Sequence, residues 1–145
     1  MSLAELAERL PALPEALSPA EPAFIEHGDA EAALPFGWRY ESLAVLLWAL
    51  GVSEALPWPQ ATCAVPDVVG ALLQKTDSGS EPATLRDTAE LLDALDLHYR
   101  LHWAAREAQR QGAPMPGALV GGVIYERHYA LNWLFCFEQA DWDDV

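Results

Sequence analysis

The chain is short of cysteine, of basic residues and of long apolar runs, and each shortage removes a class of protein. Its only cysteines, Cys63 and Cys136, lie far apart and outside any Cys-x-x-Cys spacing. Disulfides are therefore not expected, and a thiol-reducing compartment, the cytoplasm, is the expected location. Eight Lys plus Arg stand against 22 Asp plus Glu, a formal net charge of −14. Such a surface repels phosphate backbones and anionic lipid, so neither nucleic acid nor a membrane is expected as a partner. The longest strongly apolar run, Leu43 to Leu50, falls far short of the roughly 20 residues that cross a bilayer. The start, Met-Ser-Leu-Ala-Glu-Leu-Ala-Glu-Arg-Leu, lacks the basic end and continuous apolar stretch of a secretion signal and reads as an amphipathic helix.

What is present suits one folded domain spanning 1–145. The 145 residues, 52% hydrophobic with six Trp, can bury a real core. The acidic residues gather at 5–31, 77–90 and 138–144. They serve either to keep the surface soluble or to attract a basic protein partner.

Periodicity and breakers predict an all-α fold, a helical bundle with a long central helix and a buried C-terminal helix. Residues 1–35, broken by Pro11, Pro14, Pro19 and Pro22, form a peripheral segment of turns after the first helix, and 36–145 form the core. A helix is expected over Trp38–Leu50, closed by Gly51. A shorter one opens at Pro66 and runs to about Lys75 with Val68, Val69, Leu72 and Leu73 inward, and Thr76 to Pro82 forms a loop. From Thr84 to Gln111 there is no Pro or Gly, which predicts a helix stopped by Gly112. That helix is apolar on two sides, Leu85, Leu92, Tyr99 and Trp103 on one and Ala94, Leu97, Leu101 and Ala108 on the other, so neighbours are expected to cover both. The last helix, about Val120–Phe137, is apolar nearly all round.

Charges lie within these apolar helices. At 100° per residue, Glu41 falls beside Ala44, Val45 and Trp48, Asp96 between Leu92, Tyr99 and Trp103, and Glu126 beside Tyr129, Ala130 and Trp133. Arg39, Arg100 and Arg127 lie on the same three helices. An isolated buried ion costs several kcal/mol, so pairing is expected: Asp96 with Arg100 at i,i+4, and Glu41 and Glu126 with an arginine from another helix. His102, His128, Tyr40, Tyr125 and Asn132 could complete the hydrogen bonds. Such a cluster either fixes helix register or lines a pocket that holds an anionic ligand or works as acid and base.

Other patterns carry less. His98 and His102 share a helix face at i,i+4, and His128 could join them around a metal, but His-x-x-x-His is a common spacing with no accompanying catalytic Glu. Gly121 and Gly122 open the last helix without the strand or the Lys-Ser/Thr of a phosphate loop, and Ser78-Gly79-Ser80 is linker composition rather than a nucleophile elbow. No motif implies a cofactor. Trp58 and Trp142 either meet a partner or pack on the domain.

Three segments together resemble a known family: Trp38-Arg39-Tyr40-Glu41-Ser42-Leu43 through Trp48-Ala49-Leu50-Gly51; Leu85-Arg86 through Leu95-Asp96-Leu97-His98-Tyr99-Arg100-Leu101-His102-Trp103-Ala104; and Tyr125-Glu126-Arg127-His128-Tyr129-Ala130-Leu131-Asn132-Trp133-Leu134. In order and spacing they are similar to the bacterial family known as domain of unknown function 4272, over about residues 36–145. The resemblance implies a helical fold, recurring polar positions at Glu41, Asp96, Arg100, Glu126, Arg127 and Asn132, and a few further polar residues beyond Val145 in related chains. It implies no catalysis. Two functions remain open: a soluble non-catalytic protein-binding module, of adaptor or immunity type, and a small-ligand binder or enzyme built on the Glu/Asp/Arg cluster.

Overall fold

The computed structural model describes residues 2–9, 11–77 and 84–145. Its helices run in the order α1 (Leu3–Arg9), α2 (Leu13–Ala16), α3 (Ala20–His27), α4 (Ala33–Ala49), α5 (Val65–Asp77), α6 (Thr88–Gln111) and α7 (Gly121–Leu134), with 3-10 turns at Pro116–Ala118, Phe137–Gln139 and Trp142–Asp144. No strand occurs among the described residues, and the fold is all-α as expected. No helix among them is long and apolar enough to cross a membrane.

The bundle is organised around α7, which packs against both α4 and α6, while α5 lies against α4. One core layer joins Val45, Trp48 and Ala49 of α4 to Leu91 of α6 and Ala130 and Leu131 of α7. A second joins Ala105, Leu119 and Ile124. Val123, Ile124, Arg127, Ala130 and Leu131 of α7 are all buried, so an almost uniformly apolar helix is the one placed between two neighbours.

Helix ends follow local chemistry. The α4 helix begins at Ala33, earlier than Trp38, because Pro35 falls in its first turn, where the missing N–H is no loss. It ends as expected at Gly51, which takes the left-handed φ of +69° and donates its N–H to Trp48, while Val52 N–H reaches the Leu47 carbonyl. The α6 helix starts at Thr88 rather than Thr84 because the Asp87 carboxylate accepts the Ala89 N–H at 3.1 Å. It stops at left-handed Gly112. Thr76 and Asp77 belong to α5, not to a loop; the rest of that expected loop, with Ser78-Gly79-Ser80, lies outside the described residues.

The N-terminal prolines do not produce turns alone. Pro14 and Pro22 fall in the first turns of α2 and α3, where proline is tolerated. The α1 helix is capped reciprocally, Ser2 N–H to Glu5 at 2.7 Å and Glu5 N–H to Ser2 Oγ at 3.3 Å. Phe24 of α3 stacks on Phe36 of α4 at 4.0 Å between ring centres, which fastens the segment to the bundle.

The two-faced reading of α6 needs correction. Its buried stripe is Leu91, His98 and Ala105. Leu92, Tyr99 and Trp103, expected under a neighbour, face solvent, as does Leu97. Among the described elements, α7 and the Pro116–Ala118 turn make the main contacts with α6, on the side of that buried stripe. Likewise Val68 and Val69 of α5 are partly buried, whereas Leu72 and Leu73 are exposed.

Candidate functional site

Glu41 and Arg127 meet in the interior, each 2% exposed, with Arg127 Nε donating to Glu41 Oε2 at 3.0 Å. Each makes one further bond to the α4–α5 connection. Cys63 N–H donates to Glu41 Oε1 at 2.5 Å, and Arg127 Nη1 donates to the Pro57 carbonyl at 2.5 Å. Taking two ions out of water is repaid only when geometry and extra hydrogen bonds satisfy them. Here the extra bonds come from loop backbone, the Cys63 N–H and the Pro57 carbonyl. The pair therefore pins the α4–α5 loop to α7. Burial and the Glu41 charge push the nearby Cys63 thiol up to about 11.

The other expected cluster members separate from this pair. Glu126 is half-buried and makes no ion pair with an arginine among the described residues: Ser42 Oγ lies 3.3 Å from its carboxylate and 3.2 Å from its carbonyl. Burial raises its pKa. Arg39 turns outward, to Glu21 at 2.6 Å and Asp143 at 2.9 Å, with its guanidinium 4.5 Å from the centre of the Phe36 ring. Asp96 and Arg100 pair at 2.8 Å as expected, but on the surface, 59% and 74% exposed, so Asp96 is not a buried carboxylate. The cause is the uncovered face of α6. Asn132 is partly buried, and its carbonyl accepts the Phe135 N–H at the end of α7. Tyr40 and Tyr125 are exposed and complete no network around Glu41.

The histidines form a second polar group, between α6 and α7. His102 Nδ1 lies 3.0 Å from His128 Nδ1, so one ring donates and the other accepts. His98 directs Nδ1 to the Ala94 carbonyl at 2.8 Å and keeps a buried Nε2 without a partner among the described residues. Among the described residues no three His, Cys, Asp or Glu side chains are grouped to hold a metal. Tyr99 and Tyr125 flank the pair, 5.9 Å from His128 and 5.7 Å from His102 between ring centres. Beside it runs an open groove of about 750 Å³, lined by Trp38, His102, Arg106, Gln109, Tyr125 and Glu126, with Gly121 and Gly122 at one wall. The Trp38 ring lies so close to Gly122 that a Cβ there would meet it at 2.6 Å.

The model of the family described as Domain of unknown function (DUF4272) matches residues 1–145, the whole chain. The chain belongs to this family. Its N-terminal segment is thus part of the DUF4272 domain, beyond the 36–145 over which the resemblance was drawn. No curated protein and no solved structure matches it significantly.

For this DUF4272 chain, periodicity missed Arg86. From the segment leading into α6, its guanidinium donates to the carbonyls of Trp48 at 2.7 Å, Ser53 at 2.8 Å and Glu54 at 2.9 Å, and pairs with Glu90 at 2.9 Å. It thereby ties the carbonyl end of α4 and the loop after it to the start of α6. The only sequence signal was an arginine ahead of an N-cap Asp, which does not name a target 38 residues away. Trp142 packs on the bundle, edge-on to Tyr129 and Trp133, and Tyr129 donates its hydroxyl to the Trp142 carbonyl. Trp58 is exposed.

The histidines give the DUF4272 chain a pH signature. Burial, then His102 and His98, lower the pKa of His128 from 6.5 to about 4. Burial also lowers those of His98 and His102. Between pH 6.5 and 4 the unfolded chain takes up a proton on His128 that the folded chain does not. Stability is therefore complete above that window and falls as pH drops through it, by at most about 1.4 kcal/mol per pH unit per proton and less for a half-exposed ring. Glu126, raised, acts in the opposite sense. Urea unfolding of the wild type and of His128→Gln at pH 7 and pH 5 isolates the histidine, since Glu126 is common to both. The variant should lose less stability on acidification; equal losses would refute the assignment.

Proposed function

We propose that the chain is a non-catalytic protein-binding module whose docking face is the solvent side of α6. The observation that carries this is the row Leu92, Tyr99 and Trp103, spaced along the longest helix, with Tyr99 59% and Trp103 65% exposed. Tyr and Trp offer large, stiff contact area and are enriched where proteins meet, whereas such rings left in water forgo that burial. The buried Glu41–Arg127 pair supports the same reading, because both ions are spent on each other and on loop backbone.

Photo-crosslinking tests it. A photoreactive side chain at position 99 or 103 of the full chain should yield protein adducts in cells, and one at exposed Glu15 should not. Adducts absent at both α6 positions would end the proposal.

A second reading, binding of a small ligand, is favoured by the groove at Trp38, Arg106 and Glu126, whose mixture of ring, cation and carboxyl suits an aromatic molecule bearing an anionic group.

A further inference from the structure

We infer that the cavity beside Arg127 binds a small organic cation carrying an amide carbonyl, at a site independent of the docking face on α6. Arg127 is 2% exposed, and two of its three nitrogens are engaged, Nε by Glu41 and Nη1 by the Pro57 carbonyl. Its charge is thus matched, but Nη2 has no hydrogen-bond partner among the described residues. Nor is Nη2 sealed, since the one sealed side-chain nitrogen or oxygen without a partner there is His98 Nε2. Arg127 lines a cavity of about 350 Å³ beside the α4–α5 loop, and forms its buried end, while exposed Trp58 and Asp67 stand at its mouth. A ligand oxygen seated at that end gains the two N–H donors of Nη2 in a recess where such bonds are stronger than in water.

Glu41 selects the kind of oxygen. Its carboxylate already balances Arg127, so a second full anion would be repelled across the guanidinium, whereas a carbonyl dipole accepts the N–H groups without that repulsion. The walls include Ala44, Leu56 and Val68, apolar surface that suits a short methylene chain. At the mouth, Asp67 lies in the first turn of α5 without an ion pair among the described residues, and Trp58 is 52% exposed. A carboxylate and an indole together hold an ammonium by charge and by cation–π attraction, and a chain of net charge −14 draws cations towards them. Because Arg127 and Glu41 neutralise each other, the cavity holds its ligand and does no acid–base chemistry on it.

Nitrogen–proton correlation NMR of the full chain tests this, with the ω-amino amides of butanoic, pentanoic and hexanoic acid as probes. At least one of them, titrated to about 20 mM, should shift the Trp58 indole N–H and the Cys63 and Asp67 amides to saturation, with a Kd of about 1 mM or below. The Trp38 indole, in the other groove, should stay still. Exchanging the amide of that probe for a methyl group should weaken binding about tenfold, the worth of a hydrogen bond to a charged group. The ω-amino acid of the same length should also bind less tightly, since its carboxylate meets Glu41. Trp58→Ala and Asp67→Asn should each weaken binding about threefold. Both positions are exposed, and an otherwise unchanged spectrum checks that each variant is folded. No saturable shift with any probe, shifts centred on Trp38, an alkylamine or amino acid bound as tightly as the amide, or affinity unchanged in both variants would overturn the inference. Photo-crosslinking at positions 99 and 103 reads a different surface, so either proposal stands if the other fails.

Discussion

Replacing Glu41 by alanine is expected to lower the unfolding free energy by about 3–5 kcal/mol, because Arg127 would keep its charge in the interior with no counter-ion. The loss has two parts. Arg127 loses its 3.0 Å partner, and the Cys63 N–H loses its acceptor at the turn into α5. Replacing both ions, Glu41→Leu with Arg127→Met, should be milder than Glu41→Ala, since no stranded charge remains. It should not return to wild type, because the two hydrogen bonds that tie the Pro57 carbonyl and the Cys63 N–H to the pair would still be lost. Guanidinium denaturation of the three proteins measures the ordering. A second readout is alkylation of Cys63, whose thiol is held up near 11 partly by the Glu41 charge. With that charge gone and the loop released, the reaction with iodoacetamide should quicken at neutral pH. A Glu41→Ala loss below about 1 kcal/mol would mean that the pair does not hold the loop.

Leu131→Ala should cost about 2–5 kcal/mol, and Trp103→Ala, though it deletes a larger side chain, should stay within about 0.5 kcal/mol. Leu131 is wholly buried among Val45, Trp48, Ala49 and Leu91, so its truncation leaves a cavity that rigid helices on two sides cannot fill. Trp103 projects from the open face of α6 and gives up little on truncation. The comparison belongs at low micromolar chain concentration, where any self-association contributes little to stability. A Trp103→Ala loss matching that of Leu131→Ala would place α6 between two layers, contrary to the packing described.

Helix positions were legible in this sequence because the stops are chemical: Gly51 and Gly112 each adopt the left-handed φ for which glycine was expected. Glu41 was legible too, since it shares a face with Val45 and Trp48 and is buried with them. Asp96 was not. Its apolar neighbours Leu92, Tyr99 and Trp103 made an equally convincing stripe, and periodicity names a face without saying whether anything covers it. That depends on how many helices reach α6, a property of the whole assembly. Arg39 failed for a related reason: its partners Glu21 and Asp143 sit 18 and 104 positions away, on segments without the regular pattern that lets a helix be extrapolated. The loop groups of Pro57 and Cys63 act through backbone atoms, which side-chain identity cannot advertise.

Arg39 also ties together parts of the chain that are remote in sequence. Its guanidinium takes Glu21 from α3 and Asp143 from the final turn, and Asp143 in turn accepts the N–H of Ala20 at 2.8 Å. Three contacts thus close a small ring through both extremities. Should the final turn lift away, α3 surrenders an anchor at the same moment, and the reverse holds as well. The two extremities therefore fray as one unit, and protection against solvent or protease at either should rise and fall with the other.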